Sequence, residues 1–412
     1  MMSAQMSTRF RKRPSRVSPL YYPELTGLRA VALALVFFHH CEKWFPGSAP
    51  IFQHGHSGVS LFFALSGYLI TVLYYPRLTR GTGRDHTSDR VTFSEYLWRR
   101  FARIYPAYLV ALLIKMAIDT KEPQSIHVWL TNLTLTQAFF FPDVWAGLSP
   151  VSWSLTVEES FYLMVPLIFF AVRPFLSASA RLSAVWRALL SLSILAVISF
   201  ALWCGVFLLD AFPERPRLHG PLMVINVSIL GRFGEFAMGM GVALLSLSGC
   251  LNQYWGFIRK RKAAYVSEVL AVASIGLGVA TFLINNELAR VYHTLQPENH
   301  IGELNRLLMA AAGALLILSV IGGSRLIGLI LGNRTAVYLG RISYFAYLLN
   351  ADILLNGIHS LFSALWPETT PSMLGTTGFY VFFSCFAALG YELIEKPAQR
   401  FLTGWWVQRK PG

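Results

Sequence analysis

Two ionisable residues, Arg29 and His40, bracket the otherwise apolar run RAVALALVFFHH, with His39 beside the second of them. An imidazole can accept the proton of a hydroxyl, and a guanidinium binds anionic oxygen through paired N–H donors. On a helix, eleven steps of about 100° return to within about 20° of the starting face, so Arg29 and His40 share a face roughly 16 Å apart along the axis. His39 is turned about 80° away and is the weaker partner. If the run crosses a membrane, charges on it face a protein interior or a wet cavity, and by default they mark function. The competing assignment has Arg29 reaching the headgroups and His40 capping the outer helix end.

Other stretches add polar groups. PVSWSLTVEESFYLMVP (150–166) carries the adjacent carboxylates Glu158 and Glu159, with Trp153 and Ser154 before them and Tyr162 after. Carboxylates at membrane depth are expensive unless paired, protonated or hydrated. Either could orient the His40 ring and support its imidazolium; a pattern of interfacial caps is the alternative. EYLWRRFARIYPAYLV (95–110) brings Arg99, Arg100 and Arg103 directly into an apolar run, beside Tyr105 and Pro106. Arg99 and Arg103 share a helical face. Arginine suits bidentate phosphate binding, while a basic cluster in this position also serves as a topology signal; the sequence leaves both open. In GRFGEFAMGMG (231–241), Arg232 and Glu235 stand three apart and are expected to pair with each other. Ser66, in FALSGYL, lacks the spacing of a nucleophile elbow and reads as helix packing. The four cysteines lie in or at the ends of separate apolar segments with no paired spacing, and no nucleotide loop or zinc motif occurs, so no metal is expected.

These groups need elements to hold them. Of 412 residues, 54% are hydrophobic and only 14% charged, against about a quarter charged in a soluble domain. The pattern predicts an all-α integral membrane protein with about ten transmembrane helices of roughly 20 residues each. Their expected limits are 25–43, 57–76, 101–118, 151–172, 188–209, 222–247, 264–285, 305–322, 335–357 and 375–395. The net charge of +14 is spread in short clusters between these runs, which argues against nucleic acid as a partner. Segments 77–100, 173–187, 248–263 and 323–334 are rich in Lys and Arg, whereas 44–56 and 358–374 have none and 119–150 has only Lys121. The weak case is 210–221, where Arg215 and Arg217 stand against Asp210 and Glu214. This alternation places both termini in the cytoplasm. Residues 1–23 then form a basic cytoplasmic tail, 24–401 the membrane domain and 402–412 a second cytoplasmic tail.

Taken in order, these stretches resemble the acyltransferase family 3 membrane proteins, which O-acylate sugars and other acceptors. The resemblance is carried by ELTGLRAVALALVFFHH, GVSLFFALSGYLIT (58–71), RRFARIYPAY (99–108), WSLTVEESFYL (153–163), GRFGEF (231–236), GRISYFAYLLN (340–350) and IEKP (394–397). It implies a ten-helix bundle of the inner membrane that moves an acyl group, typically acetyl from acetyl-CoA, onto a hydroxyl. It also implies that Arg29 and His40 are the family's first-helix pair, with His40 the essential histidine. Arg99, Arg100 and Arg103 match its arginine motif, and Ser154 and Glu159 fall in its Trp-Ser-Leu segment. Ser60 stands where the family often has aspartate and Asn350 where it often has histidine, which puts their roles in doubt. Members with an added periplasmic esterase-like domain are longer than this chain.

The expected mechanism follows. Acyl-CoA is a donor substrate, not a resident cofactor. Its phosphates are held by Arg99, Arg100 and Arg103, with Tyr105 alongside, and its arm threads past Arg29 to His40. His40 acts as general base on a carbohydrate or glycoside hydroxyl, oriented by Glu158 or Glu159. Trp153, Ser154 and Tyr162 line the substrate path. A covalent acyl-histidine step is a variant of the same scheme. The rival is a proton-coupled small-molecule transporter, since intramembrane His, Arg and Glu also build proton relays; the lack of an internal repeat weighs against it.

Overall fold

A computed structural model of the chain describes residues 22–41, 44, 55–79, 91–118, 125–140, 149–176, 183–210, 227–257, 260–292, 300–350, 352–367 and 373–408. The basic tail as far as residue 21 and the loop cations Arg80, Arg84, Arg90, Arg181, Arg215, Arg217 and Arg259 lie outside these residues. Every regular element among the described residues is helical. Long helices α1 (Pro23–Cys41), α2 (Gly58–Thr79) and α3 (Phe93–Ile118) are followed by a short α4 (Ile126–Leu133). Next come α5 (Trp153–Leu176), α6 (Ala184–Asp210), α7 (Ile229–Leu247), the short α8 (Cys250–Phe257), α9 (Lys260–Tyr292) and α10 (His300–Ile321). The chain ends with α11 (Arg325–Leu331), α12 (Arg334–Leu349), α13 (Asp352–Leu365), α14 (Met373–Gly390) and α15 (Lys396–Gln408).

Among the described residues, 9 helical segments are long and apolar enough to cross a membrane. The expected ninth span, 335–357, is not one helix: α12 stops at Leu349, and the next helix leaves at 105°. Only if that bent pair is one broken span does the number reach 10. Two boundaries also differ from expectation. α3 begins at Phe93, so Arg99 and Arg100 stand inside the helix rather than ahead of it. Helix continues to Gln408, through residues expected to form a tail.

A π-helical turn, Tyr391–Glu395, joins α14 to α15. Pro397 explains it: proline supplies no amide hydrogen and its ring crowds the carbonyl four residues back, so the helix widens just before it. The extra residue turns Glu395 inward, where it is 2% exposed.

The outer surface is apolar. Leu163, Leu167 and Phe170 on α5, Phe200 on α6 and Val272 and Leu283 on α9 are all exposed. Such a surface is a liability in water and the ordinary boundary of a protein in lipid. Inside, small residues let helices touch. α2 and α7 form one of the most extensive pairings; a Cβ on Gly67 would lie 2.1 Å from the Phe236 carbonyl oxygen, and one on Gly239 1.7 Å from that of Ala64. Close approach of this kind is how helices associate where no hydrophobic effect separates protein from solvent. Phe236 then stacks on Phe63 and Phe161, with ring centroids 4.5 and 4.1 Å away, locking α2, α5 and α7 together.

Candidate active site

A cavity of about 90 Å³ lies where α1, α2, α3, α5 and α12 converge. Arg29 enters it from α1, Arg100 and Arg103 from α3, and Ser154, Glu158 and Tyr162 from α5. Ser66 of α2 and Ser343, Tyr344 and Tyr347 of α12 complete its polar lining. The space holds several waters or a thin chain, and is far below the roughly 300–1,000 Å³ that a bulky ligand needs.

Its anions and cations are unequal. Glu158 Oε1 accepts hydrogen bonds from Ser66 Oγ, at 3.0 Å, and from the Tyr162 hydroxyl one turn along α5. Ser66 was expected only to pack; its neighbour Gly67 does so, but one residue round the helix the Ser66 hydroxyl reaches a carboxylate. Arg103 Nη1 donates to Glu395 Oε1 at 2.5 Å, beneath the ring of Tyr344 at 5.7 Å. Arg100 Nη2 donates to the Tyr74 hydroxyl at 2.9 Å and lies over the Tyr74 and Tyr162 rings, at 5.1 and 5.6 Å. Its partners are phenols, not a carboxylate. Among the described residues Arg29 makes no hydrogen bond and no ion pair, although it lines the cavity. The lining thus sets Arg29, Arg100 and Arg103 against Glu158, with Glu395 behind Arg103.

The hydroxyls of Ser154 and Tyr347 lie 2.7 Å apart, and both reach the Val151 carbonyl oxygen, at 3.0 and 3.1 Å. This ties the start of α5 to α12. The Tyr344 hydroxyl donates to the Ile104 carbonyl at 2.8 Å, tying α12 to α3.

Other expected site residues are placed elsewhere. His40 is not among the residues lining this cavity. Its Nδ1 lies 2.8 Å from the Val36 carbonyl oxygen. A carbonyl only accepts, so Nδ1 carries the hydrogen. That backbone oxygen helps to orient the ring; the hydrogen bonds of Glu158 go to Ser66 and Tyr162. Glu159, adjacent in sequence, is partly buried and outside the cavity lining, and its Oε1 has no hydrogen bond among the described residues. Tyr105 donates to the Leu133 carbonyl and fastens α4 to α3. Trp153 lies against the Arg232 guanidinium, at 4.9 Å. The expected Arg232–Glu235 pair is present at 3.0 Å, and Arg306 of α10 approaches the same oxygen at 3.9 Å. Ser60 is fully buried in α2, and Asn350 ends α12, its Nδ2 donating to the Ala346 carbonyl at 3.0 Å.

A second, wider space of about 660 Å³ lies beside the first, between α3 and α15. Trp98, Arg99 and Arg100 face it from α3, and Gln399, Arg400 and Trp406 from α15. Arg99 pairs with Glu95 at 2.7 Å and its side chain remains 37% exposed. The three arginines of the motif therefore divide: Arg99 faces only the wide space, Arg103 only the narrow one, and Arg100 both.

A family model described as "Acyltransferase domain" matches residues 22–391. The chain is similar to "O-acetyltransferase OatA" of Staphylococcus aureus (strain NCTC 8325 / PS 47), with 27% identity over 46% of this chain and 32% of that protein. It is also similar to "Putative peptidoglycan O-acetyltransferase YrhL" of Bacillus subtilis (strain 168), with 25% identity over 92% of this chain and 55% of that protein. The chain thus spans about a third to about half of the length of these relatives. No solved structure gives a significant match.

Proposed function

The chain belongs to the acyltransferase family whose model covers residues 22–391, and from that premise we propose that it transfers an acyl group, acetyl first of all, from a coenzyme A thioester to a hydroxyl of a carbohydrate acceptor. It is a multi-pass membrane protein, and O-acetylation is the activity its relatives' names carry. Peptidoglycan is the acceptor that one relative's name points to.

One observation carries the proposal. Arg29, whose guanidinium makes no hydrogen bond or ion pair among the described residues, opens into a cavity inside the bundle, beside two more arginines and one carboxylate. Holding more cations than carboxylates at membrane depth is costly and is explained by a guest that brings negative charge or carbonyl oxygen. The arm of coenzyme A is thin, carries amide carbonyls and ends in a thioester, which suits a narrow cationic passage.

His40 lies roughly 16 Å from Arg29 along the same helix face. The two therefore act on different parts of one long donor: Arg29 steadies the arm and His40 meets the reacting end. Nε2 of His40 takes the proton of the acceptor hydroxyl, the oxygen attacks the thioester carbonyl, the carbon–sulfur bond breaks and the coenzyme leaves as its thiolate. Glu158, fixed by Ser66 and Tyr162, offsets part of the arginine charge and holds the array in place. With the N-terminus cytoplasmic, as the distribution of Lys and Arg argues, the donor enters from the cytoplasm and the acceptor approaches the far end of α1.

The test is transfer of labelled acetyl from acetyl-CoA to a soluble glycan by protein in vesicles with no ion gradient. Label in the glycan matched by released thiol is expected. No transfer and no thiol release with any hydroxyl acceptor would refute the proposal, and gradient-driven uptake in the same vesicles would favour a transporter.

A further inference from the structure

The wide space between α3 and α15 contains residues that the expected mechanism does not use. Three guanidinium side chains face it: Arg99 and Arg100 from α3 and Arg400 from α15. Glu95 is its one carboxylate among the described residues, and Arg99 already binds it. The Arg400 side chain makes no hydrogen bond or ion pair among the described residues, and the residue is exposed. The aromatic side is built as well: the Trp98 and Trp406 rings stack at 5.4 Å, and Trp98 Nε1 donates to the Leu402 carbonyl at 2.8 Å, fixing the ring.

Size separates the two spaces. About 660 Å³ falls within the range of ligand pockets, while about 90 Å³ does not. Arg100 lies between them, facing both. A wide cationic chamber beside a narrow one, with Arg100 lining both, matches a molecule with a bulky polyanionic head and a thin arm.

We propose that this chamber is the nucleotide subsite of the acyl donor, and that Arg400 of α15 reads the 3′-phosphate that distinguishes coenzyme A from its dephospho form. The inference rests on the acyl-CoA donor proposed above. Arg100 faces the narrow passage too, so it meets the diphosphate, the phosphate group nearest the arm. Arg99 is committed in part to Glu95 and flanks the diphosphate. Arg400, on the opposite wall, is left for the phosphate on the ribose. Gln399 beside it offers an amide to the sugar or the base. A charge-assisted bond to phosphate at an exposed site is worth about a factor of ten in binding.

The experiment compares acetyl-CoA with acetyl-dephospho-CoA as donors for the full-length protein in detergent, wild type against Arg400→Ala and Arg400→Lys. The wild type is expected to prefer acetyl-CoA by about tenfold in kcat/KM, mainly through KM. Arg400→Ala should bring the ratio close to one, and Arg400→Lys should restore part of it. Because Arg400 is exposed and forms no ion pair among the described residues, these variants test recognition rather than folding. A wild type that does not discriminate, or an Arg400→Ala protein with the full preference, overturns the assignment while leaving the acyl-CoA donor standing. A wild type that transfers acetyl from neither donor overturns the donor itself, and this assignment with it.

Discussion

Replacing Glu395 by Gln removes the charge that faces Arg103 at 2.5 Å while keeping the size of the side chain. The two partners are unequally enclosed: the Glu395 side chain is 1% exposed and that of Arg103 21%. Breaking a fully buried ion pair from one side costs about 3–5 kcal/mol, most of it the stranded charge. Arg103 borders a cavity with room for several waters, which would partly solvate its stranded charge, so the expected cost of Glu395→Gln is about 2–3 kcal/mol. Arg103→Gln strands the more buried partner, but a carboxylate can escape by binding a proton and a guanidinium cannot release one. The cost of that variant should therefore be the smaller of the two. Removing both charges should cost less than the sum of the singles, by about 1.5–2 kcal/mol of coupling. Unfolding free energies of the four proteins in detergent micelles, measured by steric trapping, give the cycle directly. Additivity to within about 0.5 kcal/mol would show that the pair is incidental and that the π turn aims Glu395 at nothing.

Three further outcomes are expected. His40→Ala should reduce kcat by about 10²–10⁴ while coenzyme A still binds in equilibrium dialysis, and His39→Ala should keep most activity; the reverse pattern would mean that His39 is the base. Ser66→Ala removes one of two hydrogen bonds to Glu158; a loss of about 1 kcal/mol predicts roughly a fivefold fall in kcat/KM, and unchanged kinetics would show that the placement of Glu158 is not needed. Gly239→Ala puts a Cβ 1.7 Å from the Ala64 carbonyl oxygen, where real contacts stay beyond 3.0 Å. α2 and α7 must then part by about 1 Å or more, giving up much of their contact energy; thermal unfolding in detergent at the wild-type midpoint would refute the tight crossing.

Much of the bundle was legible because lipid imposes simple length and polarity rules on each helix separately. Nine of the expected spans coincide with α1–α3, α5–α7, α9, α10 and the segment of α14 and α15, and of the residues expected in the site Arg29, Arg100, Arg103 and Glu158 do meet in one cavity. What failed was anything that depends on neighbours. Tyr105 and Trp153 carry the right chemistry, but one holds α4 and the other lies against Arg232, because packing partners far along the chain decide which way a ring turns. Glu395 was quoted within a motif and given no role; its partner Arg103 lies 292 residues away in sequence. Ser66 had no spacing to betray it. The break after α12 was hidden because apolar composition continues across it, and hydropathy records composition without direction.

α12 itself carries a consequence. Its 16 residues reach about 24 Å at 1.5 Å each, short of a hydrocarbon layer about 30 Å thick. The helix that carries Tyr344 and Tyr347 therefore ends before the lipid does, and the chain leaves at 105°. Backbone that stops being helical at such depth survives only inside protein or next to water, and Asn350, which ends the helix, is fully buried. At this one wall the thickness of the barrier is set by the protein and not by the lipid. On the proposed function, a carbohydrate acceptor would have a shorter descent to the reacting atoms than the bilayer would impose, and the missing turns of one helix would do the work of a thinner membrane.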